Sequence, residues 1–254
     1  MGVLPGAEPF SHDGGTVGVV LCHGFTGTPQ SLRSWGEALA AQGHSVRLPL
    51  LPGHGTTWQE MNRTTWRDWY AEVDAAYEDL HGRCTSVLVA GLSMGGALAL
   101  RLAQQHPDDV AGIVVVIPAV RLEDPRLRAL PALKRVVPSL PGIGSDIKKA
   151  GARELAYDRT PLRALSSSLE LYRHVVAALP LVTQPLLLLR SRTDHVVPAS
   201  SSALVLRSVG STDVTEVVCE DSYHVATLDN DAPLIVEESL AFAARVTAPS
   251  GASR

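Results

Sequence analysis

The stretch SVLVAGLSMGGALALRLAQQH, residues 86–106, joins two structural patterns across a glycine turn. Its first part, Ser86 to Ala90, is an apolar run typical of a buried strand. Its last part, Gly95 to His106, has helical spacing and is followed by Pro107, which ends a helix because proline lacks an amide hydrogen. The stretch therefore predicts a strand, a tight turn and a helix in direct succession.

The same alternation of short apolar runs and longer helical patterns continues on both sides of this stretch. Strands are predicted at residues 16–23, 45–48, 86–90, 112–117, 185–190 and 213–219, and helices at 31–42, 66–80, 95–106, 200–209 and 232–246. Strands that alternate with helices predict the α/β class, with a mostly parallel sheet flanked by helices on both faces.

The alternation is interrupted between Pro118 and Pro180. Apolar residues are frequent there, but five prolines break the pattern and no strand-like run is found. We therefore expect a small cap over residues 119–180, built from short helices and loops. This cap is expected to be inserted into a single domain that spans residues 1–254.

Composition and charge exclude several other classes of protein. The chain has 254 residues, of which 45% are hydrophobic and 19% charged, and its net charge of −4 comes without a basic stripe, so no nucleic-acid partner is expected. The three cysteines lack the C-x-x-C spacing of a zinc site. The N-terminus shows neither a signal peptide nor a membrane span, which predicts a cytoplasmic protein.

The turn Gly91-Leu92-Ser93-Met94-Gly95 carries the first candidate for chemistry. In a G-x-S-x-G turn between a strand and a helix, the serine is held in a strained conformation with its hydroxyl exposed. The residues two before and two after the serine must be small, because strand and helix would otherwise collide. A serine that only caps the helix is the alternative. The strand–turn–helix context favours Ser93 as a nucleophile.

A serine needs a base to become nucleophilic, and the base needs an acid that orients it. With this type of turn the chain order is serine, acid, histidine. Asp194 follows the predicted strand 185–190, and His224 follows the predicted strand 213–219. We therefore predict Asp194 as the acid and His224 as the base.

Other residues compete for the roles of acid and base. Asp124 is the best rival acid, because it also follows a predicted strand. His195 adjoins Asp194, so its side chain is expected to point elsewhere. His23 and His54 precede the serine or lie in glycine-rich loops, and we expect them to shape those loops.

An oxyanion hole would complete the site with two backbone N–H donors. One donor is expected from Met94, the residue after the serine. The other is expected from Phe25 in the loop HGFTGT, residues 23–28, which follows the first long predicted strand. An ordinary loop in which Phe25 only packs is the alternative.

Five motifs together give the chain a family resemblance. They are HGFTGT at 23–28, PGHGTT at 52–57, GLSMGG at 91–96, SRTDHVVP at 191–198 and SYHVATLDND at 222–231. The set resembles the small bacterial carboxylesterases and monoacylglycerol lipases of the α/β-hydrolase superfamily. The likeness extends into the insertion, where LPGIGSDIK at 140–148 and ELAY at 154–157 resemble the cap of bacterial monoacylglycerol lipases.

The resemblance implies an α/β-hydrolase fold and the hydrolysis of monoacylglycerols to fatty acid and glycerol without metal or cofactor. It implies that Ser93, Asp194 and His224 form a catalytic triad and that Phe25 and Met94 supply the oxyanion hole. It also implies that Glu154, in the cap, lies near the glycerol hydroxyls. The apolar cap would line an acyl tunnel and could contact micelles or membranes transiently.

Three other functions compete with this reading. A carboxylesterase would act on short or medium acyl esters, and an acyltransferase would pass the acyl group to an alcohol instead of water. A receptor would bind a ligand on the same scaffold without catalysis, since fold does not fix function.

Overall fold

In a computed structural model that describes residues 2–248, all six predicted strands lie in one central sheet. The strands of the described chain are β1 (Phe10–His12), β2 (Val17–Cys22), β3 (Ser45–Leu48), β4 (Ser86–Leu92), β5 (Val110–Val116), β6 (Ser139–Pro141), β7 (Arg159–Pro161), β8 (Leu186–Ser191) and β9 (Val214–Cys219). The seven-stranded sheet has the order β1-β3-β2-β4-β5-β8-β9. Only β1 runs antiparallel to its neighbour, so the prediction of a mostly parallel sheet is confirmed.

Two groups of helices contact this sheet. The α-helices of the described chain are α1 (Arg33–Ala41), α2 (Trp58–Met61), α3 (Trp66–His81), α4 (Met94–Gln105), α5 (Leu130–Val136), α6 (Leu162–Ala177), α7 (Ala199–Ser208) and α8 (Ala232–Val246). Helices α3, α4 and α6 pack against one another, and α1 packs against α8. None of the helices within residues 2–248 is long and apolar enough to cross a bilayer.

Strand β4 and helix α4 lie at the centre of the core. Six of the seven residues of β4 are buried, and it pairs with β2 on one side and β5 on the other. Strands covered on both faces are continuous apolar runs rather than alternating ones, which explains why β4 was recognisable from the sequence. The turn between β4 and α4 is therefore anchored by the core at both of its ends.

The insertion between β5 and β8 differs from its prediction. Short helices and loops without strands were expected, but α6 has 16 residues, and β6 pairs antiparallel with β7. Pro161 does not interrupt a helix; it precedes the first residue of α6 with φ −73°, the angle that proline adopts at helix starts. The strands were missed because three residues are too few to show alternation.

Candidate active site

The three candidate catalytic residues follow the carboxyl ends of three strands of the sheet. Ser93 follows β4, Asp194 follows β8 and His224 follows β9. Loops at the carboxyl edge of a parallel sheet come close together, and ligands of such sheets bind there. The fold therefore brings residues that are distant in sequence to one edge.

The turn that carries Ser93 has the strained geometry that its sequence predicts. Ser93 has φ 57° and ψ −118°, and positive φ is unfavourable for a residue with a side chain. A Cβ atom on Gly91 would collide with the carbonyl of Gly95, and one on Gly95 would collide with the carbonyl of Cys22. The predicted requirement for small residues on both sides of the serine is confirmed.

Ser93, His224 and Asp194 form a continuous hydrogen-bonded chain. His224 Nε2 lies 3.0 Å from Ser93 Oγ, and His224 Nδ1 lies 2.8 Å from Asp194 Oδ2. Ser93 and His224 are each 8% exposed, so the chain is shielded from water but reachable from a pocket. This is the order in which a base can accept the serine proton while an acid orients the base.

Asp194 is built to remain ionised. Its Oδ1 accepts hydrogen bonds from the backbone N–H groups of Val196 and Val197, each at 2.7 Å. Burial raises the pKa of Asp194, but the hydrogen bonds from His224 and from these two amides outweigh burial and hold the pKa below its usual value. A carboxylate stabilised in this way can fix the imidazole of His224.

The rival acid and base lie in other environments. Asp124 accepts the backbone N–H of Arg126 at 2.9 Å and forms an ion pair with the same residue. The ring of His195 is exposed, and its Nδ1 lies 2.8 Å from Asp146 Oδ1. Neither Asp124 nor His195 joins the hydrogen-bonded chain.

The histidines His23 and His54 shape loops, as the sequence indicates. His23 Nδ1 lies 3.1 Å from the Gly24 carbonyl oxygen, and its Nε2 accepts the backbone N–H of Leu51 at 3.2 Å. The two rings meet edge to face with centroids 5.0 Å apart. Burial lowers the pKa of His23, and it lowers the pKa of His54 to about 4, so both rings are neutral.

Two backbone amides at the site are free to bind an oxyanion. The N–H of Phe25 donates to no acceptor among residues 2–248, and Phe25 lines the same pocket as Ser93. Met94 is the first residue of α4, so its N–H has no acceptor within the helix. The start of a helix also carries a partial positive charge, which favours an anion.

Glu154 reaches the same pocket from the insertion. Its backbone N–H donates to Ser145 Oγ at 3.0 Å, and its carboxylate accepts no hydrogen bond from any described residue. The Oε1 atom lies so close to Gly27 that an added Cβ there would be 2.6 Å away. Burial raises the pKa of Glu154 to about 7, opposed only in part by the charge of His224.

Tyr157 is a pocket residue that sequence analysis did not single out. Its hydroxyl donates to the Gly53 carbonyl at 2.7 Å and accepts the backbone N–H of Thr56 at 2.9 Å. Its own backbone N–H donates to the Thr26 carbonyl at 3.2 Å. Tyr157 thus fastens the insertion to the loops that follow β2 and β3.

The pocket above Ser93 is small, and a larger cavity is lined by other residues. The pocket has a volume of about 110 Å³ and is lined by Phe25, Ser93, Ile143, Glu154, Tyr157 and His224 among others. The second cavity, of about 760 Å³, lies between the insertion, including its helix α6, and α7, and has mostly apolar walls. The pocket would hold a head group, whereas the cavity has the size of sites that enclose larger ligands.

Comparisons with known proteins agree with this architecture. Residues 17–231 match the family described as serine aminopeptidase, S33. The chain is 45% identical to the thermostable monoacylglycerol lipase of Bacillus sp. (strain H-257), over 96% of both chains. It is 27% identical to a carboxylesterase of Bacillus subtilis (strain 168), over 92% of this chain and 95% of the relative.

A solved structure is similar throughout. A chain from the study of LipS and LipT, two metagenome-derived lipolytic enzymes, matches with a TM-score of 0.94 and 46% identity, over 96% of this chain and all of that chain. The family match and these full-length similarities agree with the strand order and the serine turn. The chain therefore belongs to the serine aminopeptidase S33 family of serine hydrolases, within the α/β hydrolases.

Proposed function

We propose that this ester hydrolase cleaves monoacylglycerols to fatty acid and glycerol through an acyl-enzyme on Ser93. The observation that carries the proposal is the hydrogen-bonded chain from Ser93 through His224 to Asp194, beside a carboxylate without a donor, Glu154. The similarity to a monoacylglycerol lipase over 96% of both chains supports the choice of substrate.

In the proposed mechanism His224 accepts the Ser93 proton while Ser93 Oγ attacks the ester carbonyl. The N–H groups of Phe25 and Met94 stabilise the oxyanion, and Asp194 stabilises the imidazolium. His224 then protonates the leaving glycerol, and an acyl group remains on Ser93. A water molecule deprotonated by His224 releases the fatty acid and restores the serine.

Glu154 is the proposed ligand of the glycerol group. Its oxygens have no donor within the described chain, and the two free hydroxyls of a monoacylglycerol are donors. A diol that supplies hydrogen bonds to these oxygens therefore gains binding energy.

The acyl chain is proposed to occupy the cavity of about 760 Å³. Val120 lines this cavity, and its neighbour Ala119 donates its backbone N–H to the Ser93 carbonyl at 3.0 Å. The cavity and the serine turn are therefore linked through adjacent residues of the chain. Its walls include Leu122, Leu130 and Leu169, which suit a hydrocarbon chain.

The insertion also offers an apolar surface for contact with micelles or membranes. Val136 is 79% exposed and Ile143 is 72% exposed, and Leu140 between them is also exposed. Ile143 lines the pocket of Ser93 as well, so this surface adjoins the site. We propose that it contacts lipid aggregates while the substrate enters.

A second function, removal of N-terminal residues from peptides, has one observation in its favour. The carboxylate of Glu154 could bind an ammonium group, and the family description names an aminopeptidase. The similarity to a monoacylglycerol lipase over 96% of both chains favours the ester substrate instead.

The test is glycerol release from 1-monoacylglycerols of increasing chain length, beside p-nitrophenyl acetate and alanine p-nitroanilide. We expect turnover of medium and long chains that is lost in Ser93→Ala. Leu169→Trp narrows the acyl cavity and should lower kcat/KM for long chains at least about tenfold, with acetate turnover unchanged.

Arg163→Trp is the control for this variant, because Arg163 lies exposed on the same helix outside the cavity. Turnover of acetate without any monoacylglycerol would contradict the substrate proposal and favour a carboxylesterase. Turnover of the anilide alone would favour the peptidase. An equal loss for all chain lengths in Leu169→Trp would contradict the location of the acyl chain.

A further inference from the structure

One part of the insertion, residues 145–149, is attached directly to the loops that carry Asp194 and His224. Asp146 Oδ2 accepts the backbone N–H of His224 at 3.1 Å and the backbone N–H of His195 at 3.2 Å. Asp146 Oδ1 lies 2.8 Å from the ring Nδ1 of His195. The side chain of Asp146 is only 13% exposed, and its bond to the backbone of His224 is partly buried, whereas its bonds to His195 lie at the surface.

Asp229 attaches the same segment a second time. This buried residue accepts the backbone N–H groups of Lys148 and Lys149 at 2.7 and 2.8 Å, and that of Tyr223 at 2.9 Å. Burial raises the pKa of Asp229, but its backbone hydrogen bonds outweigh burial and lower it. The carboxylates of Asp146 and Asp229 thus attach the segment to the loop that carries His224.

Asp146 does not line the catalytic pocket, but it contacts the two loops that carry Asp194 and His224. It is absent from the lining of the pocket above Ser93, and its bonds go to the backbone of the residue after Asp194 and to that of His224. One oxygen atom therefore fixes the acid loop and the base loop relative to each other. A displacement of about 1 Å at a reacting group can lower the rate by a factor of 10², so such a bond bears on catalysis.

We propose that Asp146 is a positioning residue that holds the imidazole of His224 between Ser93 and Asp194. Residues 145–149 are then a fixed brace of the catalytic centre and not part of a movable lid. Lifting this segment would break the hydrogen bonds of Asp146 and Asp229 and misplace the base. The inference rests on the proposed hydrolysis by Ser93, but it does not depend on the monoacylglycerol substrate.

The test compares Asp146→Ala with Asp146→Asn in the full-length protein, using p-nitrophenyl acetate. The alanine variant leaves two backbone amides without an acceptor, and we expect kcat to fall about 10- to 100-fold with KM within twofold. The asparagine variant keeps one oxygen for both amides and places its NH2 group toward His195 Nδ1. We expect its kcat within threefold of the wild type.

The matched control is Asp221→Ala, which removes another carboxylate that contacts residues 145–149, from the loop that carries His224. Asp221 pairs with Lys148 at the exposed end of the segment and accepts no bond from His224. Its kcat should stay within twofold of the wild type. Because the acetate lacks a glycerol group, failure of the substrate proposal would leave this test intact.

Thermal unfolding of each variant separates loss of position from loss of fold. If Asp146→Ala does not fold, Asp146→Ser takes its place, because its hydroxyl is too short to serve both amides. A folded alanine or serine variant with unchanged kcat would overturn the inference. So would an asparagine variant that loses as much kcat as the alanine variant, or a loss expressed only in KM.

Discussion

The sheet edge and the insertion each bring a carboxylate toward His224, and the two are built in opposite ways. Asp194, from the loop after β8, accepts hydrogen bonds from His224 and from two backbone amides. Glu154, from the insertion, accepts none from any described residue. The same functional group is thus satisfied by the protein in one region and left open in the other.

The difference appears in the charge of the two groups. Hydrogen bonds hold the pKa of Asp194 below its usual value in spite of burial, whereas burial raises the pKa of Glu154 to about 7. A permanent anion suits a group that stabilises an imidazolium throughout the reaction. A carboxylate that receives no hydrogen bond from the protein, such as that of Glu154, suits a ligand that supplies hydrogen-bond donors. Hydrogen-bond donors, more than burial, therefore set the role of each carboxylate.

Replacing Asp194 should have the larger effect on activity of the two carboxylates. Asp194→Asn removes the charge and favours the wrong tautomer of His224, so kcat for p-nitrophenyl acetate should fall about 10⁴-fold with KM little changed. Asp124→Asn, at the rival acid, is the control and should retain full activity. A large loss in the control together with an active Asp194→Asn would assign the acid to Asp124.

Replacing Glu154 should give a smaller effect that depends on pH. The raised pKa means that folding disfavours the ionised form of Glu154 and so lowers the free energy of unfolding. This loss of stability is absent below the pKa of the unfolded chain, about 4.5, and complete above about pH 7. Glu154→Gln should therefore raise the free energy of unfolding at pH 8.5, by on the order of 2–3 kcal/mol, and change it little at pH 4.5.

The same variant should also weaken binding of the glycerol group. One acceptor oxygen replaces two, so we expect KM for a monoacylglycerol at pH 8.5 to rise two- to tenfold, or about 0.5–1.5 kcal/mol. Turnover of p-nitrophenyl acetate is the internal control and should not change. Equal free energies of unfolding for the wild type and Glu154→Gln at every pH would contradict the raised pKa of Glu154.

The sequence was sufficient for the elements whose signals are local. The turn at Ser93 was predictable because strand, glycines and helix are contiguous, and Asp194 and His224 were predictable because each follows an apolar run. Strand β1 was missed because three residues give no pattern. Helix α6 was missed because Pro161 was taken as an interruption, although it precedes the helix.

Residues of the insertion were harder to predict for a physical reason. Glu154 was named only through a family resemblance, and Asp146 was quoted only within the motif at 140–148, without a role. The partners of Asp146 are backbone amides 49 and 78 residues away in the sequence. A backbone amide leaves no mark on residue type, so only the folded chain shows which carboxylate receives it.

The catalytic role of Ser93 is tested most directly by covalent labelling with a p-nitrophenyl alkylphosphonate, followed by peptide mapping. Ser93 Oγ attacks phosphorus and releases p-nitrophenol, so we expect one phosphonyl group on Ser93, in the tryptic peptide 84–101. Labelling should be at least about 10³-fold slower in His224→Ala, since the serine then has no base. A label on another residue, or equal labelling rates in both proteins, would contradict the proposed catalytic role of Ser93 and His224.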